Sequence, residues 1–303
     1  LEGETYCDGY YTNKPKFLIS SLKEWFGDAA TVDNDYGYDW WPKVPSSPDF
    51  TIMSTFELMD QEVIKGYFNW GMNPCHSAPN ASFVRQSMAK LDWLVVADQV
   101  LTESATFWKA PDMNPADINT SVYFLPCALI YEKPGTIANS GRWLQWRYQA
   151  VDPWEEAKPD YEMIDLLWQE ICRLYREEGG ANPDPILNTK WDYYVDGKID
   201  PRPVAWALNG YTIEGTNCNT TSDNPQTALL AGYSDLKADG TTACAMWIYG
   251  GFWSNNEAPL DPAQQPIGQR DNSDKTGLGL NSTWAYAWPN NRRILYNRAS
   301  ADL

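Results

Sequence analysis

The sequence contains few of the side chains from which metal centres and hydrolytic sites are built. Its 303 residues include one histidine, His76, and six cysteines that show neither CxxC nor any other paired spacing. Structural zinc sites and iron–sulfur clusters need grouped thiolates or imidazoles, so neither is expected from this segment alone. The GxSxG turn of many Ser-His-Asp enzymes is absent, and no two carboxylates are placed convincingly for acid–base work.

Positive charge is also scarce. Lys and Arg total 23 against 40 for Asp and Glu, which gives a formal net charge of −17. Such a field repels phosphate backbones and anionic lipids, so binding to nucleic acid or to a membrane surface is not expected. The longest apolar runs, such as residues 94–97, are far shorter than the roughly 20 residues that cross a bilayer. Direct membrane insertion is therefore not expected, and the acidic surface suits solubility or docking to a basic redox partner.

Short apolar segments alternate with a helical pattern in the first half of the chain. Residues 63–70 and 93–97 are typical of buried strands, and residues 122–126 form a third strand that Pro126 ends. Between the first two, residues 81–91 carry apolar side chains at helical spacing. This order predicts an α/β fold, a Rossmann-like αβα layer built on a parallel sheet.

A longer helix is predicted over residues 160–178, where two glycines end it. Its apolar side chains recur at helical spacing and are expected to form a buried stripe. The stripe consists of Ile164, Leu167, Ile171 and Leu174.

The composition changes near residue 180. Beyond it Pro, Gly, Asn and Asp are frequent, and only residues 244–249 have the pattern of a solid strand. We therefore predict a Rossmann-like α/β part over residues 1–180. Residues 181–303 are predicted to form an irregular, loop-rich region that belongs to a neighbouring domain.

Candidate ligand contacts lie where the predicted strands end. In open parallel sheets, ligands bind beyond the carboxyl ends of the strands. The first strand runs into GMNP at residues 71–74, where Gly71 permits close backbone approach and Asn73 offers an amide. The following helix offers free N–H groups to a diphosphate. Asp98 ends the next strand, where a carboxylate accepts hydrogen bonds from ribose or guanine. Each feature alone also suits an ordinary turn or strand cap, and the GxGxxG and P-loop motifs are absent.

Five long blocks of the sequence are distinctive: TESATFWKAP at 102–111, MNPADI at 113–118, NSGRWLQW at 139–146, REEGGANP at 176–183 and WPNNRRILYNRAS at 288–300. These blocks resemble the large subunit of respiratory and periplasmic formate dehydrogenases. These enzymes belong to the molybdopterin oxidoreductases, which hold molybdenum or tungsten between two pterin guanine dinucleotides. The resemblance implies that this chain is a middle segment of such a subunit and binds one of the two dinucleotides.

The resemblance also implies which residues line that dinucleotide, since the strand-end positions match those of the family. Lys133, in EKPG at 132–135, and Asp160 resemble positions that line the same dinucleotide in related nitrate reductases, although Pro134 departs from their pattern. The predicted cofactor-binding residues are Gly71, Asn73, Ala97, Asp98, Thr102, Lys133 and Asp160.

Other parts of the enzyme are expected outside this segment. The resemblance implies a selenocysteine or cysteine metal ligand, a histidine and an arginine beside it, and a [4Fe–4S] cluster, all upstream of Leu1. No catalytic residue and no metal ligand are therefore assigned to this chain. The implied substrates are formate and CO₂. An iron–sulfur small subunit and a haem or cytochrome subunit are the implied partners, in periplasmic anaerobic respiration.

Two alternatives remain open from the sequence. Another molybdopterin oxidoreductase, such as a nitrate reductase, would share the same blocks. The 16 tryptophans would also suit a secreted carbohydrate-binding module, because aromatic rings stack on sugars. Tryptophans more often serve as large core anchors, which is the interpretation we adopt here.

Overall fold

A computed structural model describes residues 10–43, 51–138, 143–213, 229–230, 232–251 and 284–286. The chain divides into two compact units. The sheet unit comprises Lys43–Lys133 and Gln149–Ile164, and the second unit comprises Leu1–Pro42, Pro134–Tyr148 and Asp165–Leu303. These units describe packing rather than function, so the division into domains 1–180 and 181–303 stays a prediction.

The sheet unit is built on three parallel strands. Strands β1 (Gly66–Trp70), β2 (Trp93–Asp98) and β3 (Ser121–Pro126) lie in the order β1-β2-β3. Residue 66 pairs with residue 93, and residue 93 pairs with residue 121, so the three strands begin at the same level of the sheet. The predicted α/β class with a parallel sheet is confirmed.

The first strand differs from its prediction. We expected a buried strand over residues 63–70, but β1 begins at Gly66, and the side chain of Val63 is 65% exposed. Phe68 within the strand is exposed as well. Because β1 pairs only with β2 among the described strands, it is an edge strand, whereas Leu94 and Val96 of central β2 are fully buried.

Three helices accompany the sheet in this unit. They are α2 (Ile52–Asp60), α3 (Pro74–Ser77) and α4 (Ala81–Met88). Helix α4 starts where the Asn80 side chain accepts from the Phe83 amide, and it ends before the predicted residue 91. Its apolar face joins one core with α2 and the sheet, which includes Phe56, Met59, Val84, Met88, Leu94, Val96 and Phe107.

Helix α5 (Asp160–Glu178) has the predicted bounds, but its predicted buried stripe is wrong. Ile164 is 41% exposed, and Leu167 and Leu174 are exposed as well. The buried positions are instead Met163, Asp165 and Cys172. Helical periodicity identifies an apolar face, whereas burial depends on what packs against each side of the helix. The buried Met163 and Cys172 are nine residues apart and therefore lie on opposite sides of α5.

The second unit combines helices with small antiparallel sheets. Its helices are α1 (Tyr10–Phe26), α6 (Pro183–Leu187) and α7 (Pro201–Asn209). Its strands are β4 (Gly135–Ala138), β5 (Trp143–Arg147), β6 (Tyr194–Val195), β7 (Lys198–Ile199), β8 (Tyr211–Thr212), β9 (Thr242–Ala243) and β10 (Trp284–Tyr286). They pair as β10-β5-β4, β6-β7 and β8-β9.

The strand predicted over residues 244–249 is wrong. The paired strand β9 ends at Ala243, before the predicted range, and a 3-10 turn covers Trp247–Tyr249. The Trp247 ring stacks on Phe17 with centroids 4.5 Å apart, and Trp25 stacks on Trp41 at 4.0 Å. At Trp247, aromatic stacking thus accompanies a 3-10 turn where a strand was expected. None of the described helices is long and apolar enough to span a bilayer.

Candidate functional site at the carboxyl edge of the parallel sheet

The sheet register brings the predicted strand-end residues together. The Gly71 amide donates to the Ala97 carbonyl at 2.9 Å, and the Cys127 amide donates to the Asp98 carbonyl at 2.9 Å. These bonds continue the ladder beyond the named strands. Gly71, Ala97 and Asp98 therefore lie side by side at the edge where parallel α/β sheets bind ligands.

Gly71 makes this edge accessible. Its φ is +61°, a conformation that side chains disfavour, and a Cβ built on it would have no other atom within 4 Å. The backbone therefore turns away from β1 and faces open space. A ligand can approach the main chain here without meeting a side chain.

Asn73 joins the turn after β1 to the turn after β2. Its Oδ1 accepts from the Ser104 amide at 3.1 Å and from the Ser104 hydroxyl at 2.7 Å. Its Nδ2 donates to the carboxylate of Glu103. This hydrogen bond holds the pKa of Glu103 below its ordinary value. The predicted residue is thus at the site, but its amide is engaged within the protein.

The Ser104 hydroxyl extends this network to the first turn of α3. It accepts from the amide of Cys75 at 3.1 Å, and Ser104 itself is fully buried. Ser104 and Glu103 were not among the predicted site residues. The one signal for them was their place in the TESATFWKAP block, immediately after Thr102.

Asp98 and Thr102 flank the turn that follows β2. One Asp98 carboxylate oxygen accepts from the Gln99 amide at 2.8 Å, so the side chain is held at the strand end. The Thr102 carbonyl accepts from the Thr106 hydroxyl at 3.0 Å, which tightens the following 3-10 turn. Both predicted residues therefore lie in the same strand-end turn.

Lys133 and Asp160 form an ion pair beside the end of β3. The Lys133 ammonium lies 2.6 Å from Asp160 Oδ2, with side chains 18% and 43% exposed. A main-chain hydrogen bond connects the segments that contain Lys133 and Asp160, because the Ala128 amide donates to the Lys158 carbonyl at 2.8 Å. The pKa of the neighbouring Cys127 thiol is raised to about 12, mainly by burial and secondly by the Asp160 carboxylate. That thiol is therefore neutral at physiological pH.

Unpartnered polar atoms gather at this edge. In the part of the chain that the structure describes, Asn69 Oδ1, Trp70 Nε1 and Thr102 Oγ1 are buried without a hydrogen-bond partner. A fourth such atom, Trp206 Nε1, belongs to the second unit. Buried polar groups are nearly always paired, and each unpaired one costs about 1–3 kcal/mol. Their position fits a polar ligand at the end of β1 and the turn after β2.

The described residues offer no evident metal site of their own. No group of three or more His, Cys, Asp or Glu side chains among residues 10–43, 51–138, 143–213 and the shorter described stretches could hold a metal ion. His76 lies exposed at the end of α3.

Comparison with known proteins identifies the family. Residues 26–170 match the family model described as molybdopterin oxidoreductase. The chain belongs to the molybdopterin oxidoreductases. The matched range contains all seven predicted cofactor-binding residues, from Gly71 to Asp160.

Individual relatives of this molybdopterin oxidoreductase chain are formate dehydrogenase subunits. It is 40% identical to the nitrate-inducible formate dehydrogenase major subunit of Escherichia coli (strain K12), over 97% of this chain and 29% of the relative. It is 39% identical to the formate dehydrogenase-O major subunit of the same strain, over 100% and 29%. A third relative, the formate dehydrogenase 2 subunit alpha (cytochrome c-553) of Nitratidesulfovibrio vulgaris, is 37% identical over 97% and 28%.

These matches confirm the resemblance seen in the sequence and the assignment to an oxidoreductase family. The chain spans about 29% of the length of the first two relatives, so it corresponds to a segment of them. Of the resembling blocks, residues 139–142 and 288–300 lie outside the described residues. The contacts of the seven residues with a cofactor stay predictions.

The second unit of the oxidoreductase chain contains a polar centre that the sequence did not indicate. Glu24 of α1 is fully buried and accepts from the hydroxyls of Tyr211 at 2.6 Å and Tyr193 at 3.1 Å. Lys190 lies 3.4 Å from it and donates to the Tyr211 hydroxyl at 2.9 Å. Burial raises the pKa of Glu24, whereas Lys190 opposes the shift. These residues line a cavity of about 420 Å³.

Proposed function

We propose that the carboxyl edge of the sheet binds one pterin guanine dinucleotide of a bis-molybdopterin guanine dinucleotide cofactor. The observation that carries the proposal is the convergence of open Gly71, Asp98 and the unpartnered Thr102 hydroxyl at one edge. The edge lies within the residues that match the family model. Strand ends of parallel sheets are the usual places for nucleotides.

Each residue can then be given a role. The main chain at Gly71 allows close approach, whereas Ala97 is fully buried and supports the Gly71 turn by accepting from its amide. The free oxygen of the Asp98 carboxylate accepts from a ribose hydroxyl or a guanine N–H. The Thr102 hydroxyl supplies a further polar contact. Lys133, held by Asp160, offsets the charge of a diphosphate in a chain whose net charge is −17.

When bound, such a cofactor supplies the metal and the redox-active pterin, while the protein contributes binding, orientation and electrostatics. In the whole protein we propose that formate is oxidised to CO₂ with release of a proton and an electron pair, or the reverse. Molybdenum or tungsten, its selenocysteine or cysteine ligand and a [4Fe–4S] cluster would lie outside this segment. The names of the relatives support formate as the substrate.

Partners and location extend the proposal. We expect an iron–sulfur small subunit to receive the electrons and a haem or cytochrome subunit to follow it, as the cytochrome c-553 in one relative's name suggests. Periplasmic placement rests on the resemblance. Formate-dependent dye reduction in the fraction released by osmotic shock tests it, and activity that stays with the cytoplasm would contradict it.

The binding proposal is tested with Asp98→Ala in the natively purified protein. Loss of a charge-assisted hydrogen bond, about 1.5–3 kcal/mol, should weaken dinucleotide binding roughly tenfold or more. Guanine nucleotide and metal per polypeptide are measured after gel filtration. The matched control is Asp60→Ala, which removes an exposed carboxylate paired with Lys90 before β1 begins. Full occupancy in Asp98→Ala, or equal loss in both variants, would contradict the proposal.

A further inference from the structure

The two turns that flank the proposed dinucleotide site are joined by one side-chain network. The Asn73 amide binds Ser104 through Oδ1 and Glu103 through Nδ2. The Ser104 hydroxyl binds the Cys75 amide in turn. The network thus connects the turn after β1, which contains Gly71, with the turn after β2, which contains Thr102.

We propose that Asn73, Glu103 and Ser104 form a positioning clamp that fixes the spacing of these turns. Asn73 then acts on the dinucleotide through the turns and does not touch it. This inference rests on the proposed function, since it assigns the clamp a role at that site.

The hydrogen-bond inventory of Asn73 supports positioning over direct contact. An amide oxygen has two acceptor positions, and Ser104 uses both through its N–H and its hydroxyl. One Nδ2 hydrogen is directed to the Glu103 carboxylate. A ligand that replaced these contacts would leave the fully buried Ser104 hydroxyl without its acceptor. The Asn73 amide therefore keeps its hydrogen bonds to Ser104 and Glu103 and does not contact a ligand.

The amide and the carboxylate of the clamp can be exchanged between positions 73 and 103 by substitution. Asn73→Asp keeps the acceptor for Ser104 but places a second carboxylate against Glu103, and like charges at that distance repel. Glu103→Gln keeps an acceptor for the Asn73 amide. In the double variant, the carboxylate introduced at position 73 would accept from both Ser104 and the new glutamine amide, with the net charge of the wild-type pair restored. Each end of the clamp then regains a partner.

The experiment measures the rate at which guanine dinucleotide is released from the natively purified protein, by mass spectrometry of the nucleotide retained over time. We expect Asn73→Asp to release it at least about tenfold faster. Glu103→Gln should release it within about threefold of wild type, and so should the double variant, because both keep the clamp paired. Amide hydrogen exchange at Ser104 should follow the same order, since its N–H donates to Asn73.

The matched control is Asn114→Asp, where an asparagine amide likewise donates to a carboxylate, that of Asp117, away from the strand ends. It should leave release unchanged. The clamp is overturned if Asn73→Asp releases the dinucleotide at the wild-type rate, if Asn114→Asp matches it, or if the double variant stays as fast as the single one. The last result would mean that the amide touches the ligand. Wild-type protein without any guanine dinucleotide would instead overturn the proposed function together with the clamp.

Discussion

The Lys133 ammonium lies 2.6 Å from Asp160 Oδ2, and this pair joins the segment after β3 to the first turn of α5. The lysine is mostly covered, with 18% of its side chain exposed, whereas 43% of the aspartate side chain is exposed. A carboxylate in the first turn also interacts favourably with the helix dipole. The pair therefore holds one cation at the strand-end site of an acidic chain.

Lys133→Met should speed dinucleotide release without unfolding the protein. The cation that offsets the diphosphate is lost, whereas a half-exposed ion pair contributes at most about 1 kcal/mol to stability. Nucleotide retention and the thermal midpoint are measured on the same samples. Lys90→Met is the matched control, because Lys90 pairs with Asp60 at 2.7 Å. Equal retention in the two variants would argue against a role for Lys133 at the site.

Gly71→Ala should lower both stability and dinucleotide retention. At φ +61° a methyl group meets no other atom but strains the backbone by roughly 1–2 kcal/mol. The added methyl also projects into the space left for the ligand. Gly179→Ala is the control, since Gly179 has φ +76° and similar open surroundings after α5. A loss of nucleotide that is the same in both variants would show that Gly71 has only a conformational role.

Glu24→Ala should destabilise the second unit by about 3–5 kcal/mol, because it leaves Lys190 and the hydroxyls of Tyr193 and Tyr211 without their shared acceptor. Glu24→Gln keeps an acceptor and should cost less. Urea unfolding of each variant measures the difference. A cost below about 1 kcal/mol for Glu24→Ala would mean that the buried network stabilises little.

Stability should fall as pH rises above about 9, in part through Cys244. Burial raises the pKa of this thiol from 9.0 to about 12. Between those values the unfolded chain loses the proton and the folded chain keeps it, so each rise in pH favours unfolding. Cys244→Ala should flatten the dependence of the unfolding free energy between about pH 9 and pH 11. An unchanged slope would show that this thiol does not contribute to it.

The strands and their ends were predictable because their signals are local. An apolar run that stops at Asp98 or Pro126 indicates both a strand and its end, and Gly71 marks the turn between strand and helix. Parallel pairing then brings the ends together without further information. Gly71, Asn73 and Asp98 were predicted as site residues by the same route, whereas the resemblance alone implied Ala97, Thr102, Lys133 and Asp160.

Contacts between distant residues were not predictable in the same way. Asn73 and Ser104 are far apart in the sequence, and nothing in either segment specifies the other. Glu24 has the pattern of a surface carboxylate, and only the packing of Tyr193 and Tyr211 around it makes it buried. Leu167 of α5 shows the reverse error, because helical spacing says nothing about what covers the face.

The most direct test of the account is the metal and guanine nucleotide content of the natively purified protein, measured together with its intact mass. We predict molybdenum or tungsten and guanine-containing pterin in fixed proportion, in a polypeptide well above 34.4 kDa. A fully folded protein that contains neither would contradict dinucleotide binding at the strand ends.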